Sequence, residues 1–298
     1  MLEEIAPRGP GVPWRRLWAS AAGPGRRLPS AWAALYDPWP LPDPGPARPV
    51  VLANFVASWD GRVTFGPSRP GGGVIAEHDP GDRWLMGLVR ARADAVVVGG
   101  SSLAAAGRHV WTPAAVCPAE AAAYAALRTA EGRAPAPLLV IVARSGAIWA
   151  EAPALADPNL PVLVVTTPAG TARARAAAAG RPWVDVVERP AATAAEVLTL
   201  LRERGVRHAL VEAGPRLFGA WLAAGAVDVL FLTLSPRLLG AGEGRLALVE
   251  GVGFPPEATP RLRLEAVHQA GDFLYLRAAV IGKASAASRA AAATRAQS

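Results

Sequence analysis

A carboxylate and a glycine stand where a buried strand gives way to a helix, in the stretch HALVEAGPRLFGAWLAAG, residues 208–225. Glu212 ends an apolar strand, and Gly214 and Pro215 precede apolar residues with helical spacing. One interpretation is structural: the glycine permits an unusual backbone dihedral, and the proline opens the helix. The other is a ligand site, because free N–H groups at a helix start attract phosphate and a bare backbone lets it approach. The stretch alone leaves both interpretations open.

A second apolar strand, Ala95–Val98, also ends in glycine and is followed by Gly99, Gly100, Ser101 and Ser102. No GxGxxG pattern follows it, so the ordinary Rossmann fingerprint is missing. Two glycine corners in one sheet, each before a helix, nevertheless favour a dinucleotide-sized site. The serine hydroxyls would serve as donors to phosphate or ribose. The alternative is a pair of structural turns with a capping serine.

The stretch VLANFVASWDGRV, residues 51–63, places polar groups in and after a third strand. Asn54 lies inside an apolar run, so its amide must bond a neighbouring backbone or line a pocket. Ser58, Asp60 and Arg62 follow in a turn, although Asp60 before glycine is by itself a common turn pair.

Apolar strands and amphipathic helices alternate along the chain between these motifs. The predicted strands are Val50–Val56, Ala95–Val98, Leu138–Ala143, Val162–Thr166, Val184–Val187, Ala209–Val211 and Val227–Leu234, with a final hairpin of Leu262–Gln269 and Phe273–Val280. Two predicted helices begin at Pro80, with Asp79 as the N-cap, and at Pro215. Three more span Pro118–Ala130, Thr171–Ala179 and Ala194–Arg204. This alternation predicts an α/β fold: a mostly parallel central sheet with helices on both faces and an antiparallel C-terminal hairpin. Ligands of such sheets bind at the carboxyl ends of the strands.

The amino-acid composition limits which classes of protein this can be and which kinds of partner it can bind. The chain has 298 residues, 52% of them hydrophobic, which is enough for a substantial core. The single cysteine, Cys117, excludes a disulfide framework and a Cys-rich zinc site, so we expect no metal and a cytoplasmic location. The net charge of +7 comes from scattered arginines without interleaved aromatic residues, which favours small anionic ligands over nucleic acid. No apolar stretch reaches membrane-spanning length, and no secretory signal is recognised.

The two ends of the chain differ from its middle. Residues 1–48 are rich in proline and tryptophan, and we interpret them as an arm with one short helix, Ser30–Tyr36, capped by Ser30. Residues 49–282 form the predicted domain. Residues 283–298 have no large apolar side chain and are predicted to be a disordered tail.

Four blocks of the sequence resemble one family when they are taken in order. Residues 51–62 are similar to the signature N-x-x-x-S-x-D-G-K/R, and residues 90–102 to a block L-R-A-x-x-D-A-I/V-x-V-G-x-x-T. Residues 210–222 are similar to V-E-G-G-P/S-x-L-x-x-x-L/F, and residues 227–240 to V-D-E-L/F-x-x-x-x-x-P-x-L/I-L/I-G. Together they resemble the reductase domain of the riboflavin-biosynthesis deaminase-reductases, in a stand-alone branch.

The resemblance implies a dihydrofolate-reductase-like fold, NADPH as cofactor, and a small phosphorylated substrate similar to 5-amino-6-(5-phosphoribosylamino)uracil. Family members commonly dimerise, so we expect a homodimer. The implied cofactor-binding residues are Val56, Ala57, Gly99, Gly100, Ser101, Ser102, Gly214, Pro215, Arg216, Leu217 and Phe218, within the two corners and the adjoining strand. The implied substrate-binding residues are Asn54, Ser58, Arg90, Arg108 and Glu212. Asp60, Glu212 and ordered water are the candidates for proton handling.

The chain also departs from the family pattern. It has no deaminase domain in residues 1–48, Ser102 replaces a threonine, and Ala105–His109 replaces an acidic D-D-P segment that helps to shape the phosphate pockets. The substrate therefore stays open between the riboflavin precursor and another pyrimidine- or pterin-like compound, and a non-catalytic dinucleotide-binding protein is the alternative of another class. The candidate phosphate ligands are Arg62, Arg69, Arg90, Arg108 and His109.

Overall fold

The computed structural model describes residues 5–21, 23–66 and 71–282, and the predicted tail lies outside them. In this part of the chain ten strands form one sheet in the order β1-β9-β10-β8-β2-β7-β3-β4-β5-β6. The strands are β1 (Arg15–Ala19), β2 (Val50–Ser58), β3 (Ala95–Gly99), β4 (Leu138–Val142), β5 (Val162–Thr166), β6 (Val184–Glu188), β7 (His208–Val211), β8 (Val229–Ser235), β9 (Arg261–Ala270) and β10 (Phe273–Ile281). The run from β8 to β6 is parallel, and β10, β9 and β1 add antiparallel pairs at one end.

Helices cover the sheet on both faces. They are α1 (Ser30–Leu35), α2 (Gly71–Ile75), α3 (Pro80–Ala91), α4 (Gly100–Ala105), α5 (Pro113–Val116), α6 (Ala121–Ala130), α7 (Pro153–Ala156), α8 (Pro168–Ala178), α9 (Ala194–Glu203) and α10 (Pro215–Ala223). Alternate residues of β3 belong to two cores: Val96 and Val98 pack with α3 and α6, whereas Ala95 and Val97 pack with α9 and α10. The predicted mostly parallel α/β sheet with its C-terminal hairpin is confirmed.

Helix α3 begins as the sequence predicts. The Asp79 side chain accepts the Asp82 N–H at 2.7 Å, and Pro80 takes the first helical position. The predicted apolar stripe is buried against the sheet, and Asp82 and Arg90 are buried with it. Helix α3 connects β2 to β3, a parallel strand of the same sheet that is separated from β2 by β7, so its first turn lies near the carboxyl ends of the strands.

The N-terminal segment contributes more to the fold than the predicted arm. Its strand β1 pairs with the edge strand β9, and its aromatic side chains Trp32, Tyr36 and Trp39 are buried in the larger core. Strand β1 could not be predicted from the sequence, because this short edge strand is mostly exposed and lacks an alternation of apolar and polar residues. The boundary at residue 49 remains a prediction.

The short helix of this segment forms as predicted, but its cap does not. Helix α1 ends at Leu35, and its N-cap residue is Pro29, with no side chain bonded to the first turn. Ser30 lies inside the helix, so the prediction that Ser30 caps it is wrong.

In the described part of the chain, no helix is both long and apolar enough to cross a bilayer.

Candidate active site

The two glycine corners meet at the carboxyl edge of the sheet, where β3 and β7 are neighbours. The Gly214 N–H donates to Ser102 Oγ at 3.0 Å, which ties the start of α10 to the first turn of α4. A Cβ on Gly99 would lie 3.8 Å from the side chain of Leu217 in α10. The sequence expectation that the corners belong to one place is therefore matched by direct contact.

The backbone of Gly214 does not need glycine. Its φ of −64° and ψ of 162° suit any residue, so the interpretation that this glycine supplies an unusual dihedral is wrong. A Cβ on Gly214 would meet only Ser102 Oγ, at 3.5 Å, and one on Gly99 would meet nothing within 3.6 Å. Gly100 differs, because a Cβ there would lie 2.5 Å from the Ala147 carbonyl oxygen. A Cβ at Gly99 or Gly214 would make only ordinary van der Waals contacts, so the protein's own packing does not require glycine at either corner.

Helix α10 begins at the second of these corners, and its first turn has no side-chain cap. Gly214 is its N-cap, and Pro215 is its first residue. The N–H groups of a first turn lack helical partners and carry the positive end of the helix dipole, which suits an anionic ligand. Phe218 serves the core instead, since its buried ring packs on Phe55 with 4.5 Å between ring centroids. The structure does not support a ring contact between Phe218 and a cofactor.

Glu212, just after β7, is held by a buried arginine. Arg90 Nε lies 3.1 Å from both carboxylate oxygens, and Arg90 Nη2 donates to Glu212 Oε2 at 2.6 Å. The side chain of Arg90 is 1% exposed and that of Glu212 is 8% exposed. An ion pair this deep fixes the carboxylate in place and leaves it able only to accept hydrogen bonds.

The remaining donors of Arg90 also go to protein groups. Arg90 Nη2 lies 2.7 Å from His109 Nε2, and Nη1 donates to the carbonyl oxygens of Thr112 at 3.2 Å and Val110 at 3.5 Å. Burial, with the charges of Arg90 and Arg83, lowers the His109 pKa to about 3, so His109 is a neutral acceptor. His109 is neutral, and the guanidinium of Arg90 is engaged by protein groups, so neither is free to bind phosphate as predicted. Arg90 instead positions Glu212.

Asp60 is bound to the segment that follows β8. Its carboxylate accepts the N–H of Leu239 at 3.0 Å, the N–H of Gly240 and the hydroxyl of Ser58. These hydrogen bonds, led by that of Leu239, lower the Asp60 pKa to about 2. An ionised carboxylate with its oxygens engaged is a poor proton donor, so the geometry favours a structural role for Asp60 over the predicted catalytic one.

Sequence reasoning missed Asp82. This carboxyl is 4% exposed, and burial raises its pKa to about 6, with the charges of Asp79 and Glu212 adding to the rise. The sequence did carry a signal: Asp82, Leu85 and Val89 have the i, i+3, i+7 spacing of one helix face, so the acid lies on the apolar stripe.

The other predicted residues take varied places. Asn54 is mostly buried on β2, beside Phe231 of β8. Arg62 is half-buried, and its Nε has no partner among the described residues; Arg108 is exposed. Arg69 lies outside the described residues. Of the described residues, no group of three or more His, Cys, Asp or Glu side chains is placed to hold a metal ion.

Comparisons with known proteins agree with this architecture. The family model described as RibD C-terminal domain matches residues 49–275. A pyrimidine reductase-like protein from Corynebacterium diphtheriae superposes with a TM-score of 0.61 at 24% identity, over 78% of this chain and 92% of that one. RibD from Acinetobacter baumannii gives a TM-score of 0.59 at 22% identity, over 79% of this chain but only 59% of the RibD chain.

The riboflavin biosynthesis reductase Rib7 of Saccharomyces cerevisiae gives a TM-score of 0.54 at 16% identity, over 79% of this chain and 91% of that one. No curated protein sequence matches the chain. At these identities the solved structures show a shared fold. The family match covers most of the chain, and it shows that this protein belongs to the RibD C-terminal domain family, the riboflavin-pathway reductase family that its sequence resembles.

Proposed function

We propose that the protein is an NADPH-dependent reductase of a phosphorylated pyrimidine similar to 5-amino-6-(5-phosphoribosylamino)uracil. One observation carries the proposal: the two strand-end corners at Gly99 and Gly214 are joined through Ser102, and neither position needs glycine for the protein's own backbone or packing. The family to which the chain belongs supports the reaction class. The similar folds of a pyrimidine reductase-like protein and of a riboflavin biosynthesis reductase support the same substrate class.

The residues present fit a dinucleotide. Phosphate would lie against the uncapped first turn of α10, where Arg216 and Leu217 offer backbone N–H groups and Gly214 leaves room. Ser101 and Ser102 start the neighbouring helix and would bond phosphate or ribose. When bound, the reduced nicotinamide supplies a hydride.

The substrate end of the site would be organised by Glu212. Its carboxylate is fixed by Arg90 and accepts hydrogen bonds only, which suits the amine and hydroxyl groups of an aminopyrimidine with a sugar chain. Holding the substrate in one orientation is the main way in which such a group accelerates transfer. Arg62 and Arg108 remain the candidates among the described residues for the substrate phosphate.

The direct test mixes the protein with NADPH and follows absorbance loss at the nicotinamide band while pyrimidine and pterin intermediates are screened. Turnover of the phosphoribosylamino-uracil supports the proposal. Turnover of another compound would favour another pyrimidine- or pterin-like substrate. This is the second candidate because Ala105–His109 replaces the acidic segment that helps to shape the phosphate pockets. Binding of NADPH without any turnover would favour a non-catalytic binding protein.

The cofactor part has its own test in the variant Gly214→Val. NADPH should raise the Tm of the wild type, since it binds only the folded state, and the variant should lose this rise. Valine tolerates the φ and ψ of Gly214, so the fold should survive. Gly45→Val is the control for a glycine-to-valine change away from the site, because a Cβ there would meet nothing within 4 Å and Gly45 lies in the segment before β2. Equal protection of wild type and Gly214→Val would contradict the phosphate-loop interpretation.

We further propose that the protein is a cytoplasmic homodimer that pairs through one sheet face. Register places five apolar side chains in a row across β2, β8, β10, β9 and β1: Phe55, Leu232, Leu276, Val267 and Trp18. None of the five is fully buried. A contiguous apolar surface of this kind is typical of a protein interface.

A further inference from the structure

A buried acid at the start of α3 is left unused by the proposed function. Asp82 is as buried as the core around it, yet no basic side chain within the described residues forms a salt bridge with it. The titratable and polar groups that face it come from every neighbouring element: Asp79 and Arg90 of α3, Glu212 after β7, Thr233 of β8 and Tyr275 of β10. Tyr275 itself donates to Asp79 Oδ2, so its hydroxyl proton is already committed.

Asp82 and Glu212 are close enough to influence each other but lie in opposite environments. Both oxygens of Glu212 accept N–H groups of Arg90, so that carboxyl is paired with a cation. Asp82 has burial and two acidic neighbours instead, and these raise its pKa to about 6. When the environments of two neighbouring carboxyls differ in this way, one of them, here Asp82, can donate a proton, and the other, here Glu212, can accept hydrogen bonds.

Two buried hydroxyls of β8, one of them facing Asp82, mark a place for a polar ligand. Thr233 and Ser235 are fully buried near the carboxyl end of β8. The Ser235 hydroxyl has no hydrogen-bond partner among the described residues, and the Thr233 hydroxyl has none there besides the Asp82 carboxyl that it faces. Because the two residues are two apart on a strand, both lie on one face of the sheet. Buried hydroxyls normally find a partner, so the unpaired Ser235 beside Thr233 indicates where a water or a substrate group binds.

We propose that Asp82 is the proton donor of the reduction, with Thr233 beside it, and that Glu212 only orients the substrate. This rests on the proposed function. A hydride passes from the reduced nicotinamide to the carbon of a C=O or C=N bond of the substrate. The nicotinamide is thereby oxidised and the substrate reduced. The O–H bond of Asp82 breaks, a new O–H or N–H bond forms on the substrate heteroatom, and the Asp82 carboxylate regains its proton from water.

Kinetics of Asp82→Asn against pH test the donor role. In the wild type, kcat/KM should fall about tenfold per pH unit above the Asp82 pKa. The variant should be about 100-fold slower near pH 6, lose that limb, and bind NADPH within a few fold of the wild type. Asp82→Glu should restore part of the rate and a pH-dependent limb. Asp272→Asn, in the exposed turn between β9 and β10, should behave as the wild type.

A measurement without substrate separates this proposal from the proposed function. At about pH 5.5, above the ordinary Asp value, the infrared spectrum should contain the carbonyl band of a protonated carboxyl that Asp82→Asn lacks. The Tm of the wild type should also fall as the pH rises through about 6, because the native state must then hold an unpaired buried charge, and the Asn variant should lose this slope.

The outcomes are distinguishable. An unchanged pH profile in Asp82→Asn, or a carboxyl band that is undiminished in it, would overturn the donor role while leaving the reductase intact. A wild type that shows the band but reduces no substrate would refute the proposed function and, with it, the donor role.

Discussion

The pairing of Arg90 with Glu212 is the residue-scale feature that decides how the site works. A buried arginine whose donors all go to protein acceptors is costly to build, and removing its partner leaves an uncompensated buried charge. The sequence-based prediction that Arg90 binds a phosphate is not supported, because Glu212 and His109 already engage the Arg90 guanidinium. In the structure Arg90 fixes Glu212, and His109 fixes Arg90.

Changing Glu212 to glutamine tests this arrangement. We expect Glu212→Gln to keep NADPH affinity within a few fold and to lower kcat/KM by about 100-fold, or roughly 2.7 kcal/mol of transition-state stabilisation. The variant should also melt earlier, because Arg90 keeps its charge without a partner. Glu203→Gln, at an exposed ion pair with Arg189, is the control and should change neither quantity. Normal turnover with early melting would mean that Glu212 is a structural residue.

At the residue scale, the sequence predicts the place of a side chain in the fold better than its surroundings. The positions of Glu212 after a strand and of Gly214 before a helix are predictable because a strand end and a helix start are visible in the sequence, and their roles in binding stay predictions. Asp82 is easily overlooked because an acid in a first helical turn is ordinary, although its spacing from Leu85 and Val89 places it on the buried face of α3. Asp60 was placed among proton handlers because its partners, the backbone N–H groups of Leu239 and Gly240, are about 180 residues away.

At the scale of elements, the apolar strands and the longer helices could be predicted, whereas the four- and five-residue helices α2, α5 and α7 could not. The hydrophobic periods of the predicted elements are local, so β5 is found over the predicted residues and the β9–β10 hairpin turns at Gly271 with positive φ. Strand order could not be predicted, since it depends on contacts between distant segments. The N-terminal segment shows the same limit: Trp14 packs on Tyr275 with 4.4 Å between ring centroids, a contact across the whole chain.

The core role of that segment is tested by Trp32→Ala. Trp32 is 3% exposed and stacks with Tyr124 of α6, with 5.4 Å between ring centroids. Removing it should lower the free energy of unfolding by about 3–5 kcal/mol, as for other buried tryptophans, measured by denaturant titration. Trp59→Ala, at a half-exposed tryptophan, is the control and should cost far less. An equally small loss for Trp32→Ala would restore the interpretation of residues 1–48 as a separate arm.

At the scale of the whole molecule, the sheet ends differently on its two sides. The parallel end closes with β6, whereas the antiparallel end carries the apolar row of the proposed dimer face together with Leu262 and Leu264 of β9. Register sets these two leucines opposite Val280 and Ala278, on the face that carries Leu276. They are 52% and 42% exposed, which is a large apolar surface to leave in water.

The double variant Leu262→Glu/Leu264→Glu should therefore convert a dimer to a monomer. Burying four like charges across a two-fold interface, two from each copy, is unfavourable because each would lose water without gaining a partner. Both side chains are exposed in the single chain, so its own stability should change little. Light scattering coupled to size exclusion measures the mass, and Leu238→Glu, at an exposed leucine outside the row, is the matched control. A wild type that is monomeric at all concentrations, or a double variant that stays dimeric, would exclude this face as the interface.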